Sequence, residues 1–423
     1  MNDSQPVRAD VLKVRKAWTL YDWANSVYSL VITTAIFPIF YNAITGDTVR
    51  FFGADFSNTQ LYAYVLAASF LVVITLNPLL SGLADYAGKK KFFMKVFCYT
   101  GAAACTTMYF FNPEHLEWSM ASLFFANIGF WGSLGFYNAY LPEIAPPEEH
   151  DRLGARGYIM GYIGSLILLV VSLVMIKGFD VSARWSFVLV GVWWVAWAQP
   201  AFKRLPVNPY RHSGEGNLWV KGFEELRGVA RDLAENNGLK RYLLSFFIIS
   251  MALQTIMLMA TSFGIKEVGL EDAELIVAII AVQLLAIPGA MTVAWLSGRI
   301  GNIKALMACT VVWAAVCVYA YAGVNSTNGF FLAAGIIGFM MGGTQSLNRS
   351  TYSKMLPETE DHASYFSFYE VLEKGGLIIG MFSWGYIEGI TGSMRASVLT
   401  LILYFGAALL VMLTIPKGAV RKG

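Results

Sequence analysis

Ser81-Gly-Leu-Ala-Asp-Tyr-Ala-Gly-Lys-Lys-Lys91 is a short charged turn between two long apolar runs, and a weaker copy stands at Leu296-Ser-Gly-Arg-Ile-Gly-Asn-Ile-Lys304. Aligning Gly88 on Gly301 places Leu83 on Leu296 and Asp85 on Gly298, so the copies lie 213 residues apart in a chain of 423. One landmark carried twice at that distance points to an internal duplication.

The runs on either side of these turns fix the solvent. The chain is 56% hydrophobic, 15% aromatic and only 14% charged, with a mean hydropathy of +0.53, against roughly 25% charged residues in ordinary soluble domains. Inside hydrocarbon only helices and closed barrels satisfy their backbone, and apolar runs of about 20 residues without strict alternation are helical. The expected fold is therefore an all-α membrane protein. Twelve spans are expected, near 17–42, 60–86, 91–111, 116–141, 154–177, 183–202, 239–265, 272–298, 302–323, 328–350, 363–390 and 395–415. The polar start Met1-Asn-Asp-Ser-Gln-Pro6, the Asp in the first span and the lack of a small-residue cleavage site argue against a removable signal peptide.

When the loops are assigned alternately to the two sides, 25 of the 31 Lys and Arg residues fall on the side of both termini. The opposite side keeps only Arg50, Lys177, Arg184, Lys266 and Arg395, and Lys374 is left inside a span. This bias places both termini in the cytoplasm of a multi-pass protein of the plasma membrane, if the cell is bacterial. The acidic loop 142–153 departs from the pattern, but acids weigh little in that rule.

Two six-helix bundles are expected at 1–202 and 239–423, joined by a cytoplasmic linker at 203–238. Leu218, Trp219, Phe223, Leu226, Val229, Ala230 and Leu233 recur in that linker at helical spacing, as in an amphipathic helix lying on the membrane face. A tether between halves accounts for it, with a regulatory or partner-binding role as the alternative. Cys98, Cys105, Cys309 and Cys317 read as small packing residues, and the four histidines form no cluster, so no metal, cofactor or disulfide framework is expected. No phosphate loop, nucleophile elbow, dinucleotide fingerprint or nucleic-acid partner is indicated, which disfavours an enzyme.

Leu83-Ala-Asp85 followed by Gly88-Lys89-Lys90, within six plus six helices, resembles the major facilitator superfamily, whose loop between helices two and three carries Gly-x-Leu-Ala-Asp-Arg-x-Gly-Arg-Lys. Ser81 replaces the first Gly of that pattern, Tyr86 its Arg, and lysines its later arginines. Tyr21-Asp-Trp-Ala-Asn-Ser26, Tyr137-Asn-Ala-Tyr-Leu-Pro-Glu143, Gly342-Gly-Thr-Gln-Ser-Leu-Asn-Arg-Ser350 and Phe366-Ser-Phe-Tyr-Glu-Val-Leu-Glu-Lys374 resemble its vacuole-effluxer-like branch. The resemblance implies secondary transport of a small molecule, and its fungal members are associated with amino-acid export from the vacuole. It also implies that helices one, four, seven and ten surround a central cavity, and that the paired turns belong to a cytoplasmic gate.

Polar residues concentrate in those helices: Asn25 and Ser29 in span one, Asn127, Trp131 and Asn138 in span four, Gln254 in span seven and Gln345 in span ten. With Lys374 they are the candidate substrate residues. Lys374 lies eleven residues beyond Ala363, about 16 Å deep and close to the bilayer midplane. Glu370, four residues earlier, shares its helix face, whereas Glu373 projects elsewhere. The pair either neutralises itself and packs, or serves a substrate carboxylate. Asp22, Glu370 and Glu373 are the candidate proton carriers, being carboxyls held away from water. Asp22 reads equally as a cap near the start of its helix. The candidate gate comprises Asp85, Gly88, Lys89, Lys90, Glu143, Arg299 and Arg349. Amino-acid efflux by alternating access is the expected function. Transport of a peptide, sugar derivative, metabolite or drug fits the same physical arguments, and a non-transporting receptor or scaffold is the remaining alternative.

Overall fold

The computed structural model describes residues 4–207 and 218–421. A first helix α1 (Ser4–Val27) continues through a π-helical segment (Tyr28–Ile36) into α2 (Phe37–Ile44), and a hairpin of β1 (Thr48–Phe51) and β2 (Ala54–Ser57) follows. Then come α3 (Asn58–Tyr86), α4 (Lys90–Thr107), α5 (Leu116–Asn138), the single turn α6 (Leu141–Ile144), α7 (His150–Gly178) and α8 (Arg184–Arg204). The remaining helices are α9 (Leu218–Glu235), α10 (Asn237–Phe263), α11 (Asp272–Ile300), α12 (Asn302–Ala322), α13 (Thr327–Met355), α14 (His362–Thr391) and α15 (Met394–Leu413).

Every expected span is helical. Nine helical segments among the described residues are long and apolar enough by themselves to cross a membrane. The helices α4, α5 and α14 fall outside that set. Lysines crowd the start of α4, Gly, Ser and Asn dilute α5, and Glu370, Glu373 and Lys374 interrupt α14. The hairpin departs from the all-helical expectation. Phe52 and Gly53 both take positive φ, 47° and 81°, which is the geometry of the tight two-residue turn that matches strand twist.

The chain forms two compact units: Met1–Tyr140 with Met160–Leu226, and Leu141–Ile159 with Arg227–Gly423. This grouping differs from chain-order halves by the segment 141–159 and cuts through α7 and α9. Within the first unit α1 packs on α8, and α4 packs on α5 and α8. A Cβ at Gly129 would strike the Gly101 backbone, and Gly161 and Gly164 let α7 lie against Ser26 and the carbonyl of Trp23 on α1. Within the second unit α11 packs on α13, and α10 on α14 and α15. Gly338 and Gly342, four apart on α13, face the carbonyls of Val282 and Ala286, while Gly376 and Gly380 on α14 face those of Phe247 and Met251 on α10. Without a hydrophobic force between helices in lipid, such small-residue seams supply the contact.

The two turns share a backbone feature that their sequences suggested. Gly88 has φ 63° and Gly301 φ 87°, so both aligned glycines hold the positive-φ bend between two helices. Of the expected linker, residues 208–217 lie outside the described residues, as do the side chains of Leu218 and Trp219 and, at the polar N-terminus, residues 1–3. The rest of the amphipathic expectation divides. Val229 and Leu233 are buried, whereas Phe223 stays 57% exposed. A backbone contact explains why α9 needs Gly222: a Cβ there would meet Leu83, and one at Gly82 would meet the Gly222 carbonyl.

Gly342→Leu should force α13 off Ala286 and cost about 3 kcal/mol or more, seen as a lower thermal unfolding midpoint in detergent. Gly298→Ala, where an added Cβ meets nothing within 4 Å, should leave the midpoint equal or higher.

Candidate functional site

In the first unit the polar face of α1 meets α5. Asp22, 6% exposed, accepts a 2.7 Å hydrogen bond from Tyr137 Oη. The Tyr137 ring stacks on Trp18 at 4.7 Å between centroids, and Trp18 Nε1 donates to the Tyr137 carbonyl at 3.0 Å. The helix begins at Ser4, so Asp22 sits well inside α1 and cannot cap its start. The capping alternative is thereby corrected: the polar residues before position 17 extend the helix rather than precede it.

Beyond Asp22, Asn25 is buried, and its Nδ2 has no acceptor among the described residues. Ser26 Oγ donates to Asn25 Oδ1 at 3.4 Å. The Ser29 carbonyl accepts from Thr33 at 2.6 Å and from Thr34 at 2.8 Å, where the helix has widened to π geometry, a distortion frequent at functional sites. Asn127 is engaged on both sides of its amide. It accepts from Tyr28 Oη at 3.2 Å and donates to Ser69 Oγ at 2.5 Å, tying α5 to the π segment and α3. Trp131 packs edge-on against Phe130 and Phe70, and Asn138 is buried at the end of α5.

In the second unit Lys374 is 1% exposed and Glu370 2%. Lys374 Nζ donates to Glu370 Oε2 at 2.9 Å and also to Glu373 Oε2. Gln254 Nε2 on α10 donates to Glu373 Oε1 at 2.8 Å. Glu373 thus belongs to the cluster, against the expectation that it projects elsewhere. Helix periodicity separates adjacent residues, but the four-carbon stem of Lys374 reaches across that angle. The close seam of Gly376 and Gly380 on α10 brings Gln254 within range. Gln345 lies half-buried on α13.

The expected gate residues occupy varied surroundings. Asp85 and Lys90 are buried, and the Lys90 ammonium lies 4.8 Å from the Tyr140 ring centre, while Lys89 is exposed. The Lys89 amide closes the turn onto the Ala84 carbonyl at 2.8 Å. In the second unit Glu143 meets His362 Nδ1 at 3.1 Å. Arg349, 2% exposed, donates to the Gly154 carbonyl at 2.9 Å and lies over the Tyr158 ring. Arg299 lies over Trp295 at 4.2 Å.

A larger polar cluster escaped the sequence reading. Asp151 at the start of α7 receives Lys354 Nζ at 2.7 Å, Ser297 Oγ at 2.7 Å and Asn302 Nδ2 at 2.9 Å. Lys354 also donates to Asn302 Oδ1 at 3.2 Å, and Asn302 to Thr351 at 3.0 Å. Two signals pointed here: Ser297 and Asn302 flank the second turn, which lacks the acid of the first, and Asp151 lies in the loop whose acidity broke the charge pattern.

The four cysteines are buried and free. No group of three metal-ligating side chains occurs among the described residues.

Comparison with known proteins places this architecture. The family described as "Vacuole effluxer Atg22 like" matches residues 12–150 and 145–422. An uncharacterised MFS-type transporter of Bacillus subtilis, YxiO, is 30% identical over 96% of this chain and 95% of its own length. Autophagy-related protein 22 of Saccharomyces cerevisiae is 24% identical over 86% of this chain and 77% of its own. Among solved structures, the Escherichia coli fucose:proton symporter superposes with a TM-score of 0.69 at 16% identity, covering 96% of this chain and 98% of that one. The human organic anion transporter MFSD10 does so with 0.70 at 13%, covering 97% and 100%.

Removing one member of the buried pair should be far worse than removing both charges. Lys354→Ala should destabilise by about 3 kcal/mol or more by stranding Asp151, and Lys354→Met with Asp151→Asn should recover much of that loss in thermal unfolding. Equal midpoints for the single and double variants would refute a coupled pair.

With its helical bundles, its duplicated turn and these relatives, the chain belongs to the Atg22-like vacuole-effluxer family of the major facilitator superfamily, and it is an integral, multi-pass membrane transporter rather than an enzyme.

Proposed function

We propose that this transporter exports a small polar solute bearing a carboxylate, with amino acids as the substrate class, by alternating access coupled to protons. Both termini are taken to lie in the cytoplasm, as the Lys and Arg bias indicates. The observation that carries the reading is the buried triad of Lys374, Glu370 and Glu373. One ammonium is held by two carboxylates. A proton on either glutamate weakens that glutamate's hold on Lys374. The ammonium is then available to a substrate carboxylate, which links proton and substrate occupancy at one place.

In this reading Gln254 orients Glu373, and Gln345, Asn25, Ser29, Asn127, Trp131 and Asn138 supply polar or aromatic contacts along the path. Asn127 would do so by exchanging its present bonds with Tyr28 and Ser69. Asp22 is the second proton carrier, with Tyr137 as its hydrogen-bond partner. The gate comprises the first turn (Asp85, Gly88, Lys89, Lys90) together with Glu143, Arg299 and Arg349, to which the Asp151–Lys354 cluster adds a buried latch. By analogy, membership of a vacuole-effluxer family supports the direction, and the structural likeness to a proton symporter supports the coupling.

Purified protein in liposomes, offered labelled amino acids with and without a pH gradient, tests the proposal. At least one amino acid should accumulate, and Lys374→Ala should lower its transport by at least about tenfold, the effect of ~1.4 kcal/mol, while the protein remains monodisperse. Uptake of some other solute and of no amino acid would overturn the substrate class. Asp22→Asn should abolish pH-driven accumulation, and full pH-driven uptake in that variant would remove Asp22 from the coupling role.

A further inference from the structure

The second unit holds a partly open apolar cavity of about 100 Å³ that has no place in the transport reading. Its walls come from all six long helices α10 to α15, with Phe263, Leu275, Val316, Phe330, Trp384 and Leu401 among them, and the polar side chains on the wall are Thr261, Cys317 and Trp384. A buried water needs two to four polar partners, and a cavity this apolar favours an apolar occupant or none. One group is out of keeping with an empty space. The indole N–H of Trp384 is buried, and it has no acceptor among the described residues. Burial without an acceptor is costly for such a donor.

The charge of the occupant is set at one end of the cavity. Arg395 lies over Phe263, 5.6 Å from the ring centre. It donates to Glu267 at 3.1 Å and to the carbonyls of Ala320 at 3.3 Å, Tyr321 at 3.2 Å and Val324. Ala320, Val324 and Phe263 are themselves wall residues. A guanidinium has five N–H donors, and these contacts use most of them on a counter-ion and on backbone. A carboxylate entering the cavity would find Arg395 already committed, and no second cation on the wall. A neutral molecule with one acceptor meets neither penalty.

We propose that this cavity is a binding site for a small, neutral, lipid-soluble molecule, of aromatic-ring or short-chain size, whose single hydrogen-bond acceptor takes the Trp384 N–H. An engineered apolar cavity of about 150 Å³ accepts benzene or xenon, which sets the size class. The surrounding bilayer concentrates molecules of this kind. The site is separate from the Lys374 cluster, and its failure would leave the transport reading untouched.

Crystals of the full chain pressurised with xenon, and others soaked with 4-bromoanisole or with 4-bromobenzoate, test it through anomalous scattering. Xenon and bromoanisole should give peaks inside the cavity, and bromobenzoate should give none. Trp384→Phe should leave xenon in place and weaken bromoanisole about fivefold in an occupancy titration, the ratio that ~1 kcal/mol of net hydrogen bond gives. Ala334→Leu, which adds bulk to the wall, should exclude both. Absence of xenon and bromoanisole from the wild-type cavity would overturn the proposal. So would bromobenzoate binding as readily as bromoanisole, or undiminished bromoanisole affinity in Trp384→Phe. The last two arms decide the matter even if the filled variant does not fold.

Discussion

A charge held away from water must carry its counter-charge with it, and that requirement organises the second unit. Lys374 lies in the middle of α14 with glutamates at 370 and 373, and Lys354 closes α13 on Asp151. In water either pair would contribute little, because solvent screens exposed ions and long side chains resist being fixed. Out of water the balance reverses and a lone ammonium or carboxylate is costly: Lys374 finds its partners on its own helix, whereas Lys354 binds α13 to the start of α7. The Asp151 network recruits Ser297 and Asn302 from the second turn and Lys354 and Thr351 from α13. Four helices, α7, α11, α12 and α13, thereby meet at one buried carboxylate.

Glycine decides whether those partners can reach each other. Gln254 bonds Glu373 because Gly376 and Gly380 allow α14 to lie directly on the backbone of α10. Larger residues there would separate the helices and leave Glu373 to Lys374 alone. In the first unit Gly161 and Gly164 do the same for α7 against α1, at the level where Ser26 and Asn25 turn inward. The π segment adds a different device. Widening the helix at Ser29 lets one carbonyl accept two threonine hydroxyls, so polar atoms are satisfied locally within an apolar span.

Much of this architecture was legible because lipid leaves the backbone few choices. Apolar runs located the long helices, the repeated glycine located both turns, and a lysine inside α14 marked the buried cluster. What was missed required three dimensions or a different rule. The capping alternative for Asp22 arose because span ends were taken from apolar runs, whereas the helix extends back over the polar residues to Ser4. Glu373 was set aside by helix periodicity, which describes where Cα–Cβ bonds point and not how far a lysine reaches. Asp151 was hidden because orientation rules count basic residues and discount acids. The hairpin at 48–57 needed a positive φ at Phe52, a non-glycine residue that gives no sequence warning of it.

The duplication itself gains meaning from the residue that the second turn lacks. Both copies keep the positive-φ glycine, since no other residue bends there without strain, yet Gly298 stands where the first copy has Asp85. A carboxylate is nevertheless present beside the second turn, because Asp151 reaches Ser297 and Asn302 on either side of Gly301. The acid is therefore conveyed by a segment far away in sequence, and its charge is met by Lys354 instead of by the turn's own Lys304. Two copies of one turn have kept their backbone and divided their charge differently. Each bend has a buried carboxylate near it, Asp85 on the turn's own helix in the first copy and Asp151 from the start of α7 in the second.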